Sequence, residues 1–328
     1  LGKLDVISVG SATRDVFVYV PRRFFTTAEC AVYPGTKIEV DDLRYSTGGG
    51  ATNTAIGFSR LGLRAGVACA LGDDESASEI LRELRGEGVN VANAFRMKGK
   101  KTAFSVILTG FAADRVILNY SATSNLLHKA HIRWNPLNAK WFYISSLHGQ
   151  KQLLSKIVWH AKKIRAKVAF NPGQRELALG LHALVEMLGK IDILILNKEE
   201  ALRLTRHGDI ARNLAALQEL ADVVVITEGA DGAHAREDSA VYSVKPFDVP
   251  VVDVTGAGDA FACGFVGAIM KGKGIEDALR WGAANASSVV MALGTKNILL
   301  SEREIERFIE RHKAGKKQNN NQSMLLDG

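Results

Sequence analysis

Residues 251–264 read Val-Val-Asp-Val-Thr-Gly-Ala-Gly-Asp-Ala-Phe-Ala-Cys-Gly, and the fold turns on how they divide. Val251, Val252 and Val254 form a β-branched run that reads as the end of a buried strand. Thr255–Asp259 follows as a glycine turn, and Ala260–Val266 continues in small apolar residues as a packed helix. A glycine turn thus delivers the chain to a helix N-terminus. Free N–H groups and the positive end of the helix dipole favour an anion such as phosphate there. Gly256 and Gly258 remove side chains where the anion must come close. Asp259 makes the stretch more than an anion site. A carboxylate beside bound phosphate repels the ground-state ligand, but it is useful if it accepts a proton from a hydroxyl attacking phosphorus. The plainer alternative is that Asp259 only complements the helix dipole.

A second glycine stretch stands far upstream. Gly48-Gly49-Gly50-Ala51-Thr52-Asn53-Thr54-Ala55 is followed by Arg60-Leu61-Gly62. Three successive glycines permit positive φ and close backbone approach, and Asn53 can both donate and accept hydrogen bonds from a polyol. Taken alone, this could be a flexible turn with a helix cap. The two stretches together resemble the two signatures of the ribokinase family, the PfkB carbohydrate kinases. The resemblance spans about Asp5 to Phe308.

The resemblance implies an α/β fold, a ribokinase-like three-layer α/β/α sandwich with a small β lid. It implies ATP and Mg²⁺ as cofactors and a sugar or nucleoside as acceptor. Asp259 becomes the base, with Gly256, Ala257 and Gly258 stabilising the transferring phosphoryl group. Asp15, Gly49, Gly50 and Asn53 become acceptor contacts. Asn197, Thr227, Gly229, Gly232 and Asn285 become nucleotide contacts. Asn197 and Glu200, in Asn197-Lys198-Glu199-Glu200, match the family's N-x-x-E motif and would hold Mg²⁺ through water. The family also allows a monovalent cation such as K⁺ near the helix after the second motif. Departures from the pattern gather at the acceptor. Gly50 stands where ribokinases carry a lysine, Ala51 where they carry glycine, and Thr13 where they carry asparagine. The family's acceptor-side glutamate is replaced near His148. Gly50 is read as leaving space for a bulkier acceptor. Leu196 replaces the proline that usually precedes N-x-x-E.

Between the motifs, short apolar runs alternate with amphipathic segments from about Trp141 to Thr227, a βαβα rhythm that predicts a parallel sheet covered on both faces. The predicted core comprises 1–14, 47–96 and 122–312. Two β-rich segments outside the rhythm, 15–46 and 97–121, are assigned to the lid, the alternative being edge strands of the main sheet. Within the second, Thr102–Thr109 and Arg115–Tyr120 read as a hairpin. Residues 313–328 read as a disordered tail.

The chain has 328 residues, 47% hydrophobic and 23% charged, which suits one large α/β domain with an appendage. Its net charge of +7 comes with 7% aromatics and no basic–aromatic interleaving, so nucleic acid is not expected as a partner. No apolar run reaches membrane length and no signal segment opens the sequence, so a cytoplasmic protein without a membrane partner is expected, as a monomer or a homodimer through the lid. Cys30, Cys69 and Cys263 suggest neither a disulfide framework nor a zinc motif.

Competing motifs fail. Gly267–Lys273 has Walker A spacing, but Gly274 stands where Ser or Thr belongs and the segment ends a helix. Phe261 occupies the third glycine position of a dinucleotide fingerprint, which argues against a nicotinamide-dependent dehydrogenase. His128 and His131 lack a third ligand. A catalytically silent nucleotide or sugar sensor on the same fold is the remaining alternative, and retention of Asp259 argues against it.

Overall fold

The computed structural model describes residues 3–21, 34–35, 37–111, 114–134 and 137–323. Cys30 and residues 22–33 of the first expected lid segment lie outside the described residues. In chain order the strands are β1 (Leu4–Val9), β2 (Thr13–Tyr19), β3 (Asp42–Gly48), β4 (Ala65–Leu71), β5 (Asn90–Arg96), β6 (Ala103–Phe111) and β7 (Asp114–Tyr120). They continue with β8 (Ala139–Ile144), β9 (Lys167–Phe170), β10 (Ile191–Asn197), β11 (Ala221–Thr227), β12 (Ala233–Glu237) and β13 (Ala240–Val244). The helices are α1 (Gly50–Arg60), α2 (Glu75–Gly86), α3 (Lys151–Lys163), α4 (Gln174–Leu177) and α5 (Leu181–Leu188). After them come α6 (Lys198–Thr205), α7 (Ile210–Leu217), α8 (Ala257–Met270), α9 (Ile275–Val289) and α10 (Glu302–Ser323).

Nine strands form one sheet in the order β13-β12-β11-β10-β9-β8-β1-β4-β5. Pairing is parallel from β11 through to β5, and the last two strands, β12 and β13, add antiparallel at the edge. In β10, Leu194 and Leu196 join the core under α3, α5 and α7, while Ile193 and Ile195 join the core under α8 and α9. A strand buried on both faces must be apolar at every position, and Ile-Leu-Ile-Leu is such a strand. The chain leaves β1 towards β4 on one side and returns to β8 on the other, so strand order reverses beside β1. Such a reversal opens a crevice at the carboxyl ends of the strands.

The expected lid strands do not extend this sheet. They form their own four-stranded sheet, β3-β2-β6-β7, in which β2 and β6 run parallel and β6–β7 is the hairpin expected from the sequence. Its first pair, β2 and β3, begins at Thr13 and ends at Gly48, each two residues outside the division expected at 15 and 46, and its second pair, β6 and β7, lies within the expected 97–121. Phe17 and Ile107 are buried on the face turned towards the core. The other face exposes Tyr45, Leu118 and Tyr120.

Four local readings change. Val251–Val254 is not a buried strand: Val251 and Val252 are exposed, and the Val252 and Asp253 amides bond to Val290 O at the end of α9 instead of entering a ladder. The amphipathic stretch 177–188, which by its apolar spacing reads as one helix within that alternation, is broken at Gly180, whose φ of 82° an α-helix cannot continue. β5 is an unexpected strand. It was hidden because its residues are only half-buried at the sheet edge and carry no clear alternation. Finally, α10 runs through Ser323 where a disordered tail was expected from 313; lysine and glutamine there are good helix formers.

Candidate active site

Close helix packing builds the site. A Cβ on Gly57 would sit 2.4 Å from Cys263 Sγ, and one on Gly267 would sit 2.4 Å from Leu61 Cδ1. A Cβ on Gly264 would meet Trp281 O at 2.6 Å. Contacts this short are possible only without side chains, so the small residues of α8 let α1 and α9 lie directly against it. The N-termini of α1 and α8 thereby meet over the end of the sheet. Both helices start on a glycine in positive φ, Gly49 at 98° and Gly256 at 85°, and neither has a side-chain cap. The Gly50 and Ala51 amides of α1 bond back to Ser11 Oγ and Ser11 O at 3.2 and 3.1 Å, so it is the first turn of α8, beyond Ala257, that is left to meet a ligand or solvent.

Neither turn tolerates a side chain. A Cβ on Gly49 would lie 2.5 Å from Ser11 O, and one on Gly256 would lie 2.7 Å from Thr295 O. Gly258 has open space around it. The Ala257 amide is spent on Val254 O at 3.2 Å, so of the expected phosphate-side residues Gly258 has the free approach. Gly50 differs from expectation. A Cβ there would meet Ser145 Oγ at 2.7 Å and would come within 3.6 Å of Asp259 Oδ1. It marks close packing of α1 on the end of β8, not a vacant space.

Asp259 lies in the first turn of α8. Its Oδ2 accepts from Asn53 Nδ2 at 2.8 Å, and Asn53 Oδ1 in turn accepts from the Thr295 hydroxyl at 3.0 Å. Burial raises the Asp259 pKa, opposed by the Asn53 hydrogen bond and the charge of Lys296. Asp15 is buried on β2 and accepts from Thr13 Oγ1 at 3.0 Å; burial raises its pKa too. Gly48 packs directly on the Asp15 carboxylate.

His148, at the end of the β8 loop, has a positive φ of 55°, and its buried Nε2 has no partner among the described residues. Burial lowers its pKa, so it is neutral near pH 7. The loop is held by the buried Glu176, which accepts from Ser146 Oγ at 3.1 Å and Leu147 N at 3.2 Å.

The nucleotide-side residues divide. β10 and β11 run in register with Asn197 opposite Thr227, so these two and Gly229 sit together at adjacent strand ends. Glu228 joins the two loops through Lys198 at 2.7 Å and His234 at 2.9 Å. Gly232 is needed for packing: a Cβ there would clash with Val244 O. Asn285 is engaged within the protein. It is buried, donates to Ala260 O at 2.8 Å and accepts from Leu300 N at 2.9 Å, which ties α8 to the chain after α9.

Asn197 and Glu200 form a reciprocal capping box on α6. Glu200 N donates to Asn197 Oδ1 at 2.9 Å, and Asn197 N donates to Glu200 Oε2 at 2.8 Å. The amide oxygen of Asn197 has one of its two lone pairs engaged by Glu200 N, and its NH₂ remains to donate to phosphate. Glu200 keeps one carboxylate oxygen. Among the described residues no cluster of three or more His, Cys, Asp or Glu could enclose a metal. One free carboxylate oxygen fits Mg²⁺ that arrives with the nucleotide and keeps most of its water.

Sequence reasoning overlooked Thr295 and Lys296. They lie in Gly294-Thr295-Lys296-Asn297, a loop with no periodicity, and only packing brings them against both glycine turns.

A buried carboxylate where two glycine-started helix N-termini meet, at the switch point of a parallel sheet, is an arrangement suited to phosphoryl transfer. The pfkB family carbohydrate kinases match residues 3–302. A nucleoside kinase of Methanocaldococcus jannaschii is 27% identical over 85% of this chain and 91% of its own length. A ribokinase of Haemophilus influenzae is 24% identical over 92% of this chain and 97% of its own length. The solved structure of Arabidopsis thaliana ribokinase complexed with ribose and ATP superposes with a TM-score of 0.77 at 21% identity, covering 94% of this chain and 99% of that one. The chain belongs to the pfkB carbohydrate kinase family, and it is a phosphotransferase with a hydroxyl acceptor. No helix among the described residues is long and apolar enough to cross a membrane.

Proposed function

We propose that this kinase transfers the γ-phosphoryl group of Mg-ATP to a hydroxyl of a sugar or nucleoside, with Asp259 as the base. The observation that carries this reading is the meeting of the two glycine turns on one carboxylate, through the 2.8 Å Asn53–Asp259 hydrogen bond. Asp259 Oδ1 is left to take the acceptor's proton, and the first turn of α8 stabilises charge on the transferring group. Asp15 holds acceptor hydroxyls under the small sheet, which acts as a lid. Asn197, Thr227 and Gly229 hold the nucleotide. Glu200 would hold Mg²⁺, which neutralises phosphate charge when bound.

Two further features belong to the same reading. Asp253 Oδ1 is engaged by Thr255, while its buried Oδ2 has no partner among the described residues, a fit for a monovalent cation at the second motif. The outer face of the lid, with Leu118, Tyr120 and Tyr45 56–61% exposed, suits a homodimer through the lid.

An ADP-release assay with Mg-ATP across sugars, sugar phosphates and nucleosides tests the reading. At least one class should stimulate release well above the ATPase background. Asp259→Asn should then lose on the order of 10²–10⁴-fold in kcat while keeping its nucleotide affinity. Near-wild-type turnover in that variant removes Asp259 from the base role.

A further inference from the structure

Lys296 is buried, an uncommon place for a lysine unless it is paired. Its Nζ donates to Thr47 O at 2.9 Å and to Thr47 Oγ1, and it pairs with Glu83 Oε2 at 3.3 Å. The Thr47 hydroxyl donates its own hydrogen bond to the same Glu83 carboxylate. Arg60 of α1 fixes the backbone from behind by donating to Lys296 O at 2.8 Å. Thr47 is the residue before the Gly48–Gly50 turn, and Thr295, next to Lys296, holds Asn53 and lies against Gly256. One loop thus touches the acceptor turn and the phosphate turn together.

The charges around this ammonium are unequal in kind. Glu83 on α2 is its direct partner, and Glu87 lies beyond Arg60. Asp15 on β2 and Asp259 on α8 both lie within its field, and each is favoured in its ionised form by it. Burial opposes this charge most, and Arg60 is a like charge that adds to the opposition. Removing a buried lysine from water is costly. A hydrophobic side chain would pack this corner at less cost if packing were its whole role.

We propose that Lys296 is a positioning residue for phosphoryl transfer: its buried ammonium pins the acceptor turn to the loop behind α8 and supplies the positive field in which Asp259 and Asp15 work as anions. The inference rests on Asp259 acting as the base. Lys296 touches neither reacting atom. It acts through Thr47 and through the charge it places behind the two carboxylates.

Opposite-sign variants separate this role from a merely structural one. Lys296→Met keeps the stem but removes the charge, so Asp259 should be harder to ionise. The acidic limb of the kcat/KM–pH profile should move to higher pH by about one unit, and kcat/KM for the acceptor near neutral pH should fall about tenfold or more. Mg-ATP affinity should stay within about twofold of wild type. Glu83→Gln keeps the hydrogen bonds but removes the opposing negative charge, so its acidic limb should move to lower pH. Burial lowers the Lys296 pKa, and in this variant the Thr47 acceptors and the charge of Asp15 are what hold it ionised. A scaffold role predicts that both variants lose activity with their limbs in place. That result, or limbs moving in the same direction, overturns the proposal. If Lys296→Met fails to fold, the direction of the Glu83→Gln limb decides alone. Asp259→Asn is run alongside. If it turns over like wild type, the base reading fails, whereas a dead Asp259→Asn with unmoved limbs in the other two variants sinks the Lys296 proposal only.

Discussion

The side-chain amide of Asn53 donates to Asp259 Oδ2 at 2.8 Å, joining residues 206 apart in the chain. The Thr295 hydroxyl on Asn53 Oδ1 fixes the amide so that its NH₂, and not its oxygen, faces the carboxylate. The bond favours the ionised form of Asp259 against the burial that raises its pKa. The base works only when ionised, so activity should rise with pH through a value above the usual aspartate range. Asn53→Leu removes the donor at nearly constant volume. A hydrogen bond to a charged group contributes about 1.5–3 kcal/mol, so kcat/KM near neutral pH should fall roughly ten- to a hundredfold. The acidic limb should also move up. A pH–rate profile checks both, and an unmoved limb would show that the bond does not tune Asp259.

Asp74 gives a test of stability apart from chemistry. It caps α2 by accepting from Ala77 N at 3.0 Å, and its other oxygen accepts from Thr102 N at 2.7 Å at the start of β6. Burial raises its pKa, but the Thr102 and Ala77 hydrogen bonds outweigh this and leave it lowered. A carboxylate with a lowered folded pKa stabilises the fold above its unfolded pKa. The contribution is lost as pH falls through the folded value. Asp74→Ala should therefore cost about 0.5–2 kcal/mol at neutral pH. The difference from wild type should narrow in acid. Urea melts at neutral and acidic pH measure it, and an equal difference at both would place the stabilisation elsewhere than in the charge.

Strand and helix alternation from β8 to β11 was legible because each parallel strand carries a continuous apolar run and each longer helix between them has one apolar stripe. The glycine turns were legible because only glycine permits their φ and their backbone contacts. Val251–Val254 misled for a physical reason: β-branched residues signal extended backbone, and extended backbone need not enter a sheet. Asn285 misled because a helix asparagine looks the same in sequence whether it meets a ligand or, as here, bridges Ala260 O and Leu300 N. Lys296 was invisible because its role depends on Glu83 and Thr47, which are distant in the chain and share no pattern with it.

Glu200 should control magnesium without controlling the fold. Its pKa is raised by burial, with the Asn197 backbone bond acting against this. Glu200→Gln keeps an acceptor for Asn197 N, so the capping box and the melting temperature should persist. What disappears is the negative charge. The Mg²⁺ concentration for half-maximal rate should rise several-fold while acceptor KM changes little. A magnesium titration at saturating acceptor settles it; an unchanged half-saturation point removes Glu200 from the metal assembly.

Acceptor choice is the remaining question, and Gly50 bears on it. Ribokinases carry at this position a lysine that reaches the sugar, and a charged hydrogen bond of that kind contributes roughly 1.5–3 kcal/mol. Its absence should cost ribose about ten- to a hundredfold in affinity. The close packing of Gly50 on Ser145 sharpens the expectation. A Cβ would meet Ser145 Oγ at 2.7 Å and Ser145 Cβ at 2.8 Å, so the lysine cannot be restored by Gly50→Lys alone without displacing the end of β8. Any room for a different acceptor must lie elsewhere than at Gly50. Ribose should therefore be a poor substrate, and Gly50→Lys should lose activity on every acceptor instead of gaining it on ribose. Values of kcat/KM for ribose, fructose, glucose derivatives, adenosine and cytidine, in wild type and in Gly50→Lys, test both halves. Ribose leading the wild-type panel by tenfold or more would overturn the first, and a Gly50→Lys enzyme improved on ribose would overturn the second.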